Sequence, residues 1–555
     1  MDSAKNMRLE KLEPVIRKIL KDRGIDSDEQ IKEYLSPVPR LTYDPFLLKN
    51  MDPVCDRILK AADEGEKICI FGDYDADGVT SVALLTEYLG QLSTNVTYYI
   101  PSRFEEGYGL NDRASEKLAA DGVSLIITVD CGCAARREVE YIKQLGMDII
   151  VTDHHEVDPS RAPDCLMIDA KQQGESYPYH QLCGCGIALK IAQALRIRRN
   201  LPKEKLNHCL DLVGIATVAD VVPLTGENRT LVKYGIDRIR KMERPGLKAL
   251  LERAGIHVST LTSYHIAFGI APRIKSAGRM STADKGVSLL SAGDLKSASE
   301  SADDLERLNG ERRSCQERIY EEALTWIDSR HPDDVFIVYH AGKANEGVTG
   351  VAAGKLREHY NRPVIIVSES SEKGFLKGTG RSIDGVDLFD LMNHHVDLFV
   401  KFGGHAAACG FTIAEDNLTE LRRCLIQDME EIVHRNPAVL EEHLVTDAVI
   451  KAEEVSFELA RQISLMEPFG KDNEQPLFQV DDLHVLNVYS MGREKQYRKY
   501  QFRTSEGTAY AVALDTGIGG IYDVKEGQKI SICAEISINT WNGRSSVQLI
   551  VRKIL

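Results

Sequence analysis

Three aspartates at alternate positions, Asp73, Asp75 and Asp77, follow the first strongly apolar run of the chain. Alternation along an extended loop directs several carboxylate oxygens to one side, and Gly78 permits a sharp turn into a helix. Carboxylates this close repel each other unless a cation neutralises them, and hard oxygen ligands suit Mg²⁺ or Mn²⁺. A solvated turn and an EF-hand-like calcium loop are the alternatives. The EF-hand is rejected because a strand precedes the loop and no glutamate occupies its twelfth position.

Four further polar residues belong to the same region: Asp130, the adjacent His154 and His155, and Asp220. Each alone has an ordinary interpretation, as a helix cap or as a core or surface histidine. Asp220 lies in an apolar stretch, where an unpaired carboxylate is costly and needs a metal ion or a strong donor. Taken together, these carboxylates and histidines predict a two-metal site for phosphodiester hydrolysis, because two ions activate a water and stabilise both oxygens of an in-line displacement.

Short apolar strands must bring these residues together. Strands alternating with helical stretches are predicted at residues 67–72, 96–101, 124–130 and 147–153. Runs that are apolar on both faces indicate a parallel α/β sheet, and sites in such sheets form at the carboxyl ends of the strands. The first three aspartates, Asp130 and the two histidines follow such ends, so we expect them to lie at one edge of the sheet.

A chain of 555 residues is too long for one hydrophobic core, so several domains are expected. The predicted order is an N-terminal lead-in (1–50), a catalytic α/β domain (51–295), a connecting helix (296–330), a second α/β domain (331–440) and a β-rich domain (441–555). The connecting segment is predicted as a long helix because it lacks proline and is rich in Glu, Arg and Leu.

Charge and hydropathy exclude some classes of protein. The net charge is −15, from 69 basic and 84 acidic side chains, whereas a generic nucleic-acid coating protein is usually basic. A polyanion must therefore be held by local basic patches or by metal ions. The sequence shows no apolar run of about 18 residues and no signal-peptide core, so we expect a cytoplasmic protein with no membrane contact.

The twelve cysteines are scattered along the chain. The close pairs Cys131/Cys133 and Cys183/Cys185 have C-x-C spacing, and neither is joined to a second pair at zinc-finger spacing. Buried free thiols are therefore expected, rather than a zinc site or disulfides.

Several segments resemble one known family. The segments DYDAD (73–77), TVDCG (128–132), TDHHE (152–156) and TVADVVP (217–223) resemble the four ordered motifs of the DHH phosphoesterase superfamily. Residues 402–410 (FGGHAAACG) resemble the motif of its companion DHHA1 domain. Three further segments resemble the RecJ exonuclease family: APRIKSAGR (271–279), KGTGRSI (377–383) and PFGKDNEQP (468–476). The matches run in family order over nearly the whole chain.

The resemblance implies a parallel-sheet DHH domain, a DHHA1 domain for substrate binding and a C-terminal OB-like domain. It implies two Mn²⁺ or Mg²⁺ ions, held by Asp75, Asp77, Asp130, His154, His155 and Asp220. Asp73 stands where many relatives have a histidine, and an aspartate there could also reach a metal ion, so it joins this set. The catalytic residues would be Asp130, His154 and His155, with contact to the scissile phosphate as the alternative role of His155.

The resemblance also implies the substrate and its contacts. Single-stranded DNA would be degraded from its 5′ end to 5′ mononucleotides, in recombination and repair, with a helicase and a single-strand-binding protein as partners. Guanidinium groups suit phosphate oxygens. The predicted substrate contacts are Arg103, Arg273, Arg279, Arg381, Ser382, Gly403, Gly404 and His405. A surface ion pair for each arginine and a structural turn for the glycines are the alternatives.

The β-rich domain contains a stretch, residues 493–503, that interleaves basic and aromatic side chains. Bases stack on aromatic rings and phosphates pair with cations in OB folds that bind single strands. The candidate contacts are Arg493, Lys495, Tyr497, Arg498, Lys499 and Tyr500. The alternative is a hairpin whose aromatic rings face the core and whose charges face water.

Two other functions fit parts of the sequence. A phosphodiesterase of the same superfamily that acts on cyclic dinucleotides or very short RNA would not need the C-terminal β-rich region. A non-catalytic metal-dependent or single-strand-binding protein would be expected to have lost one or more motif acids, and all of them are present. The exonuclease is therefore the preferred hypothesis.

Overall fold

The computed structural model describes residues 11–441, 444–491, 497–514, 524–541 and 544–555. The chain forms two compact units. The first comprises Met1–Lys275, Thr282–Leu305 and Val445–Leu555, and the second comprises Ser276–Ser281 and Glu306–Leu444.

The first unit contains a parallel sheet of five strands. Their bounds are β1 (Ile68–Gly72), β2 (Val96–Tyr99), β3 (Leu125–Val129), β4 (Asp148–Thr152) and β5 (Leu166–Ile168), in the order β2-β1-β3-β4-β5. All residues of β1 and β3 are buried, as expected for central strands covered on both faces. The four predicted strands are confirmed, and β5 is a short addition at the edge of the sheet.

Fourteen α-helices within the described residues precede the connecting helix. They are α1 (Pro14–Asp22), α2 (Asp28–Leu35), α3 (Met51–Glu64), α4 (Ala76–Leu89), α5 (Asp112–Ala120), α6 (Arg136–Gln144), α7 (Gly184–Arg199), α8 (Lys203–His208), α9 (Leu210–Ala219), α10 (Gly226–Ile239), α11 (Pro245–Ala254), α12 (Ser263–His265), α13 (Ala271–Met280) and α14 (Asp284–Leu290). Residues 226–295, the last part of the predicted catalytic domain, are mostly helical. Helix α9 is buried almost all round, because its sequence LDLVGIATVA is apolar on every face.

The predicted connecting segment is one helix, α15 (Leu295–Arg330). The second unit contains a mixed sheet in the order β6-β7-β8-β10-β9, in which only β6 and β7 are parallel. Its elements are β6 (Ile337–His340), α16 (Glu346–Tyr360), β7 (Val364–Glu369), β8 (Phe375–Arg381), α17 (Leu388–Asn393), β9 (Phe399–His405), β10 (Ala408–Ala414) and α18 (Leu418–Arg435).

The C-terminal part of the first unit is a β-barrel. Its elements are β11 (Ala448–Lys451), α19 (Phe457–Leu465), β12 (Leu477–Met491), β13 (Tyr497–Thr504), β14 (Gly507–Leu514), β15 (Lys529–Trp541) and β16 (Arg544–Ile554). The order β12-β13-β14-β16-β15 closes through pairing of β15 with β12, which is the strand order of an OB fold. The predicted fold class, two α/β domains followed by an OB-like domain, is confirmed.

The two N-terminal helices pack against this barrel. Ile16 and Leu20 of α1 and Ile31 of α2 are buried in one core cluster with barrel residues such as Phe478. The sequence predicts residues 1–50 only as an N-terminal lead-in. It could not show that these helices pack against residues more than 400 positions later in the chain.

Two expectations from composition concern burial and membranes. All twelve cysteines are free thiols, and nine of them are buried as predicted. Cys165, Cys315 and Cys424 are only partly buried, so the prediction of burial is wrong for these three. Among the described helices, none has the length and apolar character that a membrane crossing requires.

Candidate metal centre

The first aspartate segment begins a helix earlier than predicted. Asp75 caps α4 and accepts hydrogen bonds from the backbone N–H groups of Asp77 (2.7 Å) and Gly78 (3.3 Å). Asp77 therefore lies in the first helical turn and not in an extended loop. The turn predicted at Gly78 is wrong, because this glycine is inside α4. A Cβ atom there would lie 2.3 Å from the carbonyl oxygen of Asp73, so the glycine allows a close backbone approach.

His154 joins three carboxylates that come from different elements. Its Nε2 atom lies 3.0 Å from Asp130 Oδ1, 3.5 Å from Asp220 Oδ2 and 3.6 Å from Asp77 Oδ2. Asp130 directly follows β3 and has a left-handed backbone with φ of 60°, whereas Asp220 ends helix α9. The contact with Asp220 therefore depends on the packing of α9 and not on the order of strands in the sheet.

All seven predicted metal residues lie in three overlapping groups. In each group the potential ligand atoms are within 4.8 Å of one another. The groups are Asp73/Asp75/Asp130, Asp77/His154/Asp220 and Asp130/Asp153/His154/His155. One oxygen of Asp73, Oδ1, is buried and has no hydrogen-bond partner among the described residues. A buried carboxylate oxygen without a donor, beside further carboxylates and an imidazole, fits a hard divalent cation such as Mg²⁺ or Mn²⁺.

The electrostatics of the carboxylates support the same fit. Burial, followed by the charge of neighbouring carboxylates, raises the pKa of Asp73 to about 7, of Asp77 to about 6 and of Asp220 to about 8. Burial and four nearby aspartates also raise the pKa of Asp130 well above its ordinary range. Crowded buried carboxylates hold protons to reduce their repulsion, and a bound cation would relieve the same repulsion.

Asp75 differs because it has a cationic partner that the sequence did not reveal. The ammonium group of Lys275 lies 3.1 Å from Asp75 Oδ2 and donates a hydrogen bond to the carbonyl oxygen of Ala219 (2.8 Å). Burial favours a raised pKa for Asp75, but Lys275 and the two backbone donors outweigh it and lower the value. The only available signal in the sequence was the presence of a lysine in the segment APRIKSAGR (271–279).

The two adjacent histidines have opposite properties. The His154 side chain is only 8% exposed, and burial followed by the charge of His155 lowers its pKa to about 4. The His155 side chain is 48% exposed. Burial also acts to lower the pKa of His155, but the hydrogen-bonded Asp153 carboxylate raises it to about 9. At neutral pH, His154 is therefore a neutral potential ligand and His155 is a cation.

Asp153 organises this pair and was missed as a site residue. Its Oδ1 atom accepts the backbone N–H of His154 (2.8 Å) and lies 2.7 Å from His155 Nδ1, while Oδ2 accepts the backbone N–H of Cys133 (2.9 Å). Both oxygens are thus engaged by the protein. This pattern is typical of a carboxylate that orients a neighbouring ligand.

Replacing Asp153 with asparagine should test this positioning role. We expect Asp153→Asn to keep the backbone hydrogen bonds at Oδ1, to lower the pKa of His155 from about 9, and to reduce activity roughly 10- to 100-fold. NMR titration of the histidine ring and kcat measured across pH would check both effects. An unchanged His155 titration with normal kcat would contradict the assignment.

A second missed contact comes from the start of α7. The backbone N–H groups of Gly184 and Cys185 donate to the two oxygens of Asp77, at 2.6 and 2.8 Å. A Cβ atom on Gly184 would lie 2.8 Å from Asp130 Cβ, so only glycine fits here. The thiols of the segment Cys183-Gly-Cys-Gly186 are its most distinctive feature in the sequence, but its backbone N–H groups make the contacts with Asp77.

Two predicted phosphate contacts belong to the first unit. The Arg103 guanidinium lies over the Tyr74 ring at 4.0 Å, and its buried Nε atom has no hydrogen-bond partner among the described residues. Its charge lowers the pKa of Asp73, which places it beside the carboxylate cluster. Arg273 is only 6% exposed and donates to the carbonyl oxygen of Gly269 in its own helical segment.

Arg279, Arg381 and Ser382 belong to the second unit. Arg279 donates to the carbonyl oxygen of Gly347 (2.7 Å) at the start of α16. A Cβ atom on Gly350 in the same helix would lie 3.0 Å from Arg381 Nη2, so Arg279 and Arg381 both adjoin α16. The hydroxyl of Ser382 donates to the carbonyl oxygen of Val386 (2.6 Å). Phosphate binding by these residues stays a prediction.

The glycine-histidine segment forms the exposed end of β9. Gly404 has φ of 156°, and a Cβ atom there would lie 2.4 Å from the carbonyl oxygen of Ala408. The backbone structure alone therefore explains why glycine occupies this position. Gly403 has open space at its Cβ position. His405 is exposed and accepts the backbone N–H of Ala407 (3.3 Å) at Nδ1.

The predicted contacts of the barrel need correction at Tyr500. Its ring is fully buried in the barrel core with Phe502, so it cannot stack on a base. The hairpin alternative is therefore right for these two rings. Tyr497 is 37% exposed, Arg498 donates to Ser490, and Lys499 lies 3.9 Å above the Tyr510 ring. Arg493 and Lys495 fall outside the described residues.

Comparison with known families matches each part of the chain. Residues 67–217 match the DHH family N-terminal domain, residues 333–431 match the DHHA1 domain, and residues 446–553 match the RecJ OB domain. These three regions include six of the seven predicted metal residues, all but Asp220, together with the mixed sheet and nearly all of the barrel.

Individual relatives match over nearly the full length. The chain is 36% identical to the single-stranded-DNA-specific exonuclease RecJ of Bacillus subtilis, over 97% of this chain and 67% of that protein. It is 31% identical to RecJ of Escherichia coli, over 98% of this chain and 96% of that protein. The crystal structure of RecJ with Mn²⁺ from Thermus thermophilus superposes with a TM-score of 0.81 at 26% identity, over 97% of this chain and 75% of that one. The chain therefore belongs to the RecJ family of single-stranded-DNA-specific exonucleases.

Proposed function

We propose that this chain is a metal-dependent exonuclease that hydrolyses the phosphodiester bonds of single-stranded DNA, with two Mn²⁺ or Mg²⁺ ions. The observation that carries the proposal is the convergence of Asp73, Asp75, Asp77, Asp130, His154, His155 and Asp220 in three overlapping ligand groups. The family membership supports the same activity, because the relatives carry the name of such an exonuclease and one was crystallised with Mn²⁺.

The proposed positions of the two ions follow two of the three groups. Asp73, Asp75 and Asp130 would hold one ion, and Asp77, His154 and Asp220 the other, with Asp130 next to both because it also contacts His154. When bound, two such ions supply the positive charge that lowers the pKa of an attacking water and stabilises the transferring phosphoryl oxygens. The protein contributes rigidity, since Asp77 and Asp75 are each fixed by two backbone donors.

His155 is assigned to the scissile phosphate. Its ring is half exposed, cationic at neutral pH and oriented by Asp153. A charged imidazolium donates a strong hydrogen bond to a phosphate oxygen. His154, which is buried and neutral, faces the carboxylates instead.

Digestion is proposed to start at the 5′ end. Water attacks the phosphorus that joins the first and second nucleotides, the bond from phosphorus to the 3′ oxygen breaks, and that oxygen takes up a proton. The products are a 5′ mononucleotide and a strand with a new 5′ phosphate. Arg103 is the proposed contact of the 5′ end in the first unit, because its Nε–H has no protein acceptor among the described residues. Arg273, Arg279, Arg381, Ser382 and His405 are proposed to contact the strand elsewhere.

The proposed setting is recombination and repair in the cytoplasm. A helicase that separates strands and a protein that coats single strands are the proposed partners, because this enzyme requires a free single strand. The net charge of −15 leaves little general attraction for DNA, so binding depends on local cations and on the metal ions.

Labelled strands would test the activity and its direction. With Mn²⁺, we expect immediate release of labelled mononucleotide from single-stranded DNA carrying a 5′ label. Release from a 3′-labelled strand should lag, and a blunt duplex should be spared. The assay compares gel-resolved products over time, with an Asp130→Ala protein as the inactive control.

Two outcomes would contradict the proposal. Early release of the 3′ label would reverse the assigned direction. Failure to cut the long strand, together with hydrolysis of dinucleotides, would instead place the protein among the small-substrate phosphodiesterases of the superfamily.

A further inference from the structure

An exposed aromatic pair lies outside the metal centre. Tyr264 is 65% exposed and Phe268 is 68% exposed, the highest values among aromatic side chains in the described part of the chain. Their ring centroids are 4.7 Å apart. The backbone beneath them is well anchored, because Ile266 and Ile270 are completely buried. The exposed rings therefore belong to an ordered surface. Two large aromatic rings that are exposed side by side are typical of a binding site.

The pair sits on an unusual helical segment. Helix α12 continues as a π-helical turn, Ile266–Ile270, which leads directly into α13. Gly269 in this turn packs tightly, since a Cβ atom there would lie 2.4 Å from Ile256 Cδ1. Single π-turns within helices are frequent at functional sites. The turn widens the helix at the position where Phe268 leaves it.

The same helical segment contacts the metal centre. Lys275 follows Phe268 by seven residues on the same continuous helical segment. The Lys275 ammonium contacts Asp75 and the carbonyl oxygen of Ala219, next to Asp220. At 1.5 Å per residue, Phe268 and Lys275 are separated by roughly 10 Å along the axis. That distance corresponds to about three stacked nucleotides at 3.4 Å each.

The segment that carries the pair is free of acidic residues. No aspartate or glutamate occurs between Glu252 and Asp284, whereas acidic residues make up 84 of the 555 residues of the chain. The same stretch contains four basic residues, of which Arg253 pairs with Asp303 and Lys275 with Asp75, and the other two are Arg273 and Arg279. An acid-free basic segment with exposed aromatic rings is the combination that binds single-stranded nucleic acids.

We propose that Tyr264 and Phe268 form a stacking platform for the bases of single-stranded DNA, about three nucleotides from the bond that is cut. The inference rests on the proposed exonuclease function and adds a determinant of substrate length. Aromatic rings stack on any base, so the platform tolerates every sequence, as a general exonuclease requires. It holds the strand beyond the reaction centre and keeps the next phosphate close to the metal ligands.

The first test compares KM and kcat on a 5′-labelled 20-nucleotide strand. Loss of both rings in Tyr264→Ala/Phe268→Ala should raise KM roughly 5- to 100-fold, with kcat changed less than about two-fold. Hydrolysis of a dinucleotide, which is too short to reach the platform, should stay at the wild-type rate. The conservative Tyr264→Phe and Phe268→Tyr proteins should keep the normal KM. Phe457→Ala, which removes a 40% exposed ring from α19, is the matched control.

The second test changes the DNA instead of the protein. Strands that lack a single base at successive positions from the 5′ end should show raised KM with the wild-type enzyme when the gap lies about three nucleotides from the cut. The double variant should not respond to that gap. A wild-type enzyme that is indifferent to every gap, or a double variant with normal KM, overturns the platform. Failure of the wild-type enzyme to cut the intact strand would instead overturn the exonuclease function.

Discussion

An Asp130→Asn protein should lose nearly all nuclease activity while remaining folded. Asp130 belongs to two of the ligand groups and lies 3.0 Å from His154 Nε2. The amide keeps the size of the side chain and an acceptor for His154, but it removes the negative charge that two cations would share. We expect kcat to fall on the order of 10³-fold or more, since a lost charge contact in a buried site acts directly on the transition state. Single-turnover cleavage of single-stranded DNA measures the effect.

A matched control comes from the opposite end of the sheet. Asp148 begins β4, at the edge away from the metal residues, and pairs with Arg57 on the surface. Asp148→Asn should have wild-type kcat and Mn²⁺ binding, whereas Asp130→Asn should show weaker Mn²⁺ binding by calorimetry. Near-normal cleavage by folded Asp130→Asn protein would remove Asp130 from the catalytic set.

Stability without metal should fall as pH rises, and Mn²⁺ should reverse this trend. The raised pKa values are about 7 for Asp73, about 8 for Asp220 and about 9 for His155. Each group binds its proton more tightly in the folded state. Its stabilisation is present below its ordinary pKa and is lost as pH rises through the folded value. Each such group contributes at most about 1.4 kcal/mol per pH unit. In chelator, we expect a lower melting temperature at pH 8.5 than at pH 6.5.

Mn²⁺ should bind more tightly at the higher pH because its ligands must lose protons. The increase in melting temperature caused by Mn²⁺ should therefore be larger at pH 8.5 than at pH 6.5. A ligand at 100 times its Kd stabilises the folded protein by about 2.7 kcal/mol. Scanning calorimetry with Mn²⁺ or chelator at both pH values measures the difference. An equal Mn²⁺ effect at both pH values would mean that these carboxylates do not form the binding site.

Some errors of sequence interpretation have clear physical origins. The sequence of β13 predicts that its side chains alternate between two faces, but it does not show which face meets the barrel core. In the structure, Tyr500 lies on the core face. Gly78 was assigned to a turn because glycine tolerates unusual backbone angles. Glycine is needed at this position because the Asp73 backbone approaches it closely. That approach depends on how helix α4 packs against the preceding loop.

The sequence by itself determined the fold class and predicted the chemistry of the site. Alternating aspartates, the adjacent histidines and apolar strands predicted a carboxylate-rich metal site at one edge of a parallel sheet, because strand ends in such a sheet share an edge. The tertiary structure alone decided which groups support that site. Packing between elements that are distant in sequence produces three of these features. They are the contact of Lys275 with Asp75, the hydrogen bonds from the backbone of Gly184 and Cys185 to Asp77, and the half-exposed position of His155. Contacts of this kind follow from side-chain direction and burial, which local residue patterns do not encode.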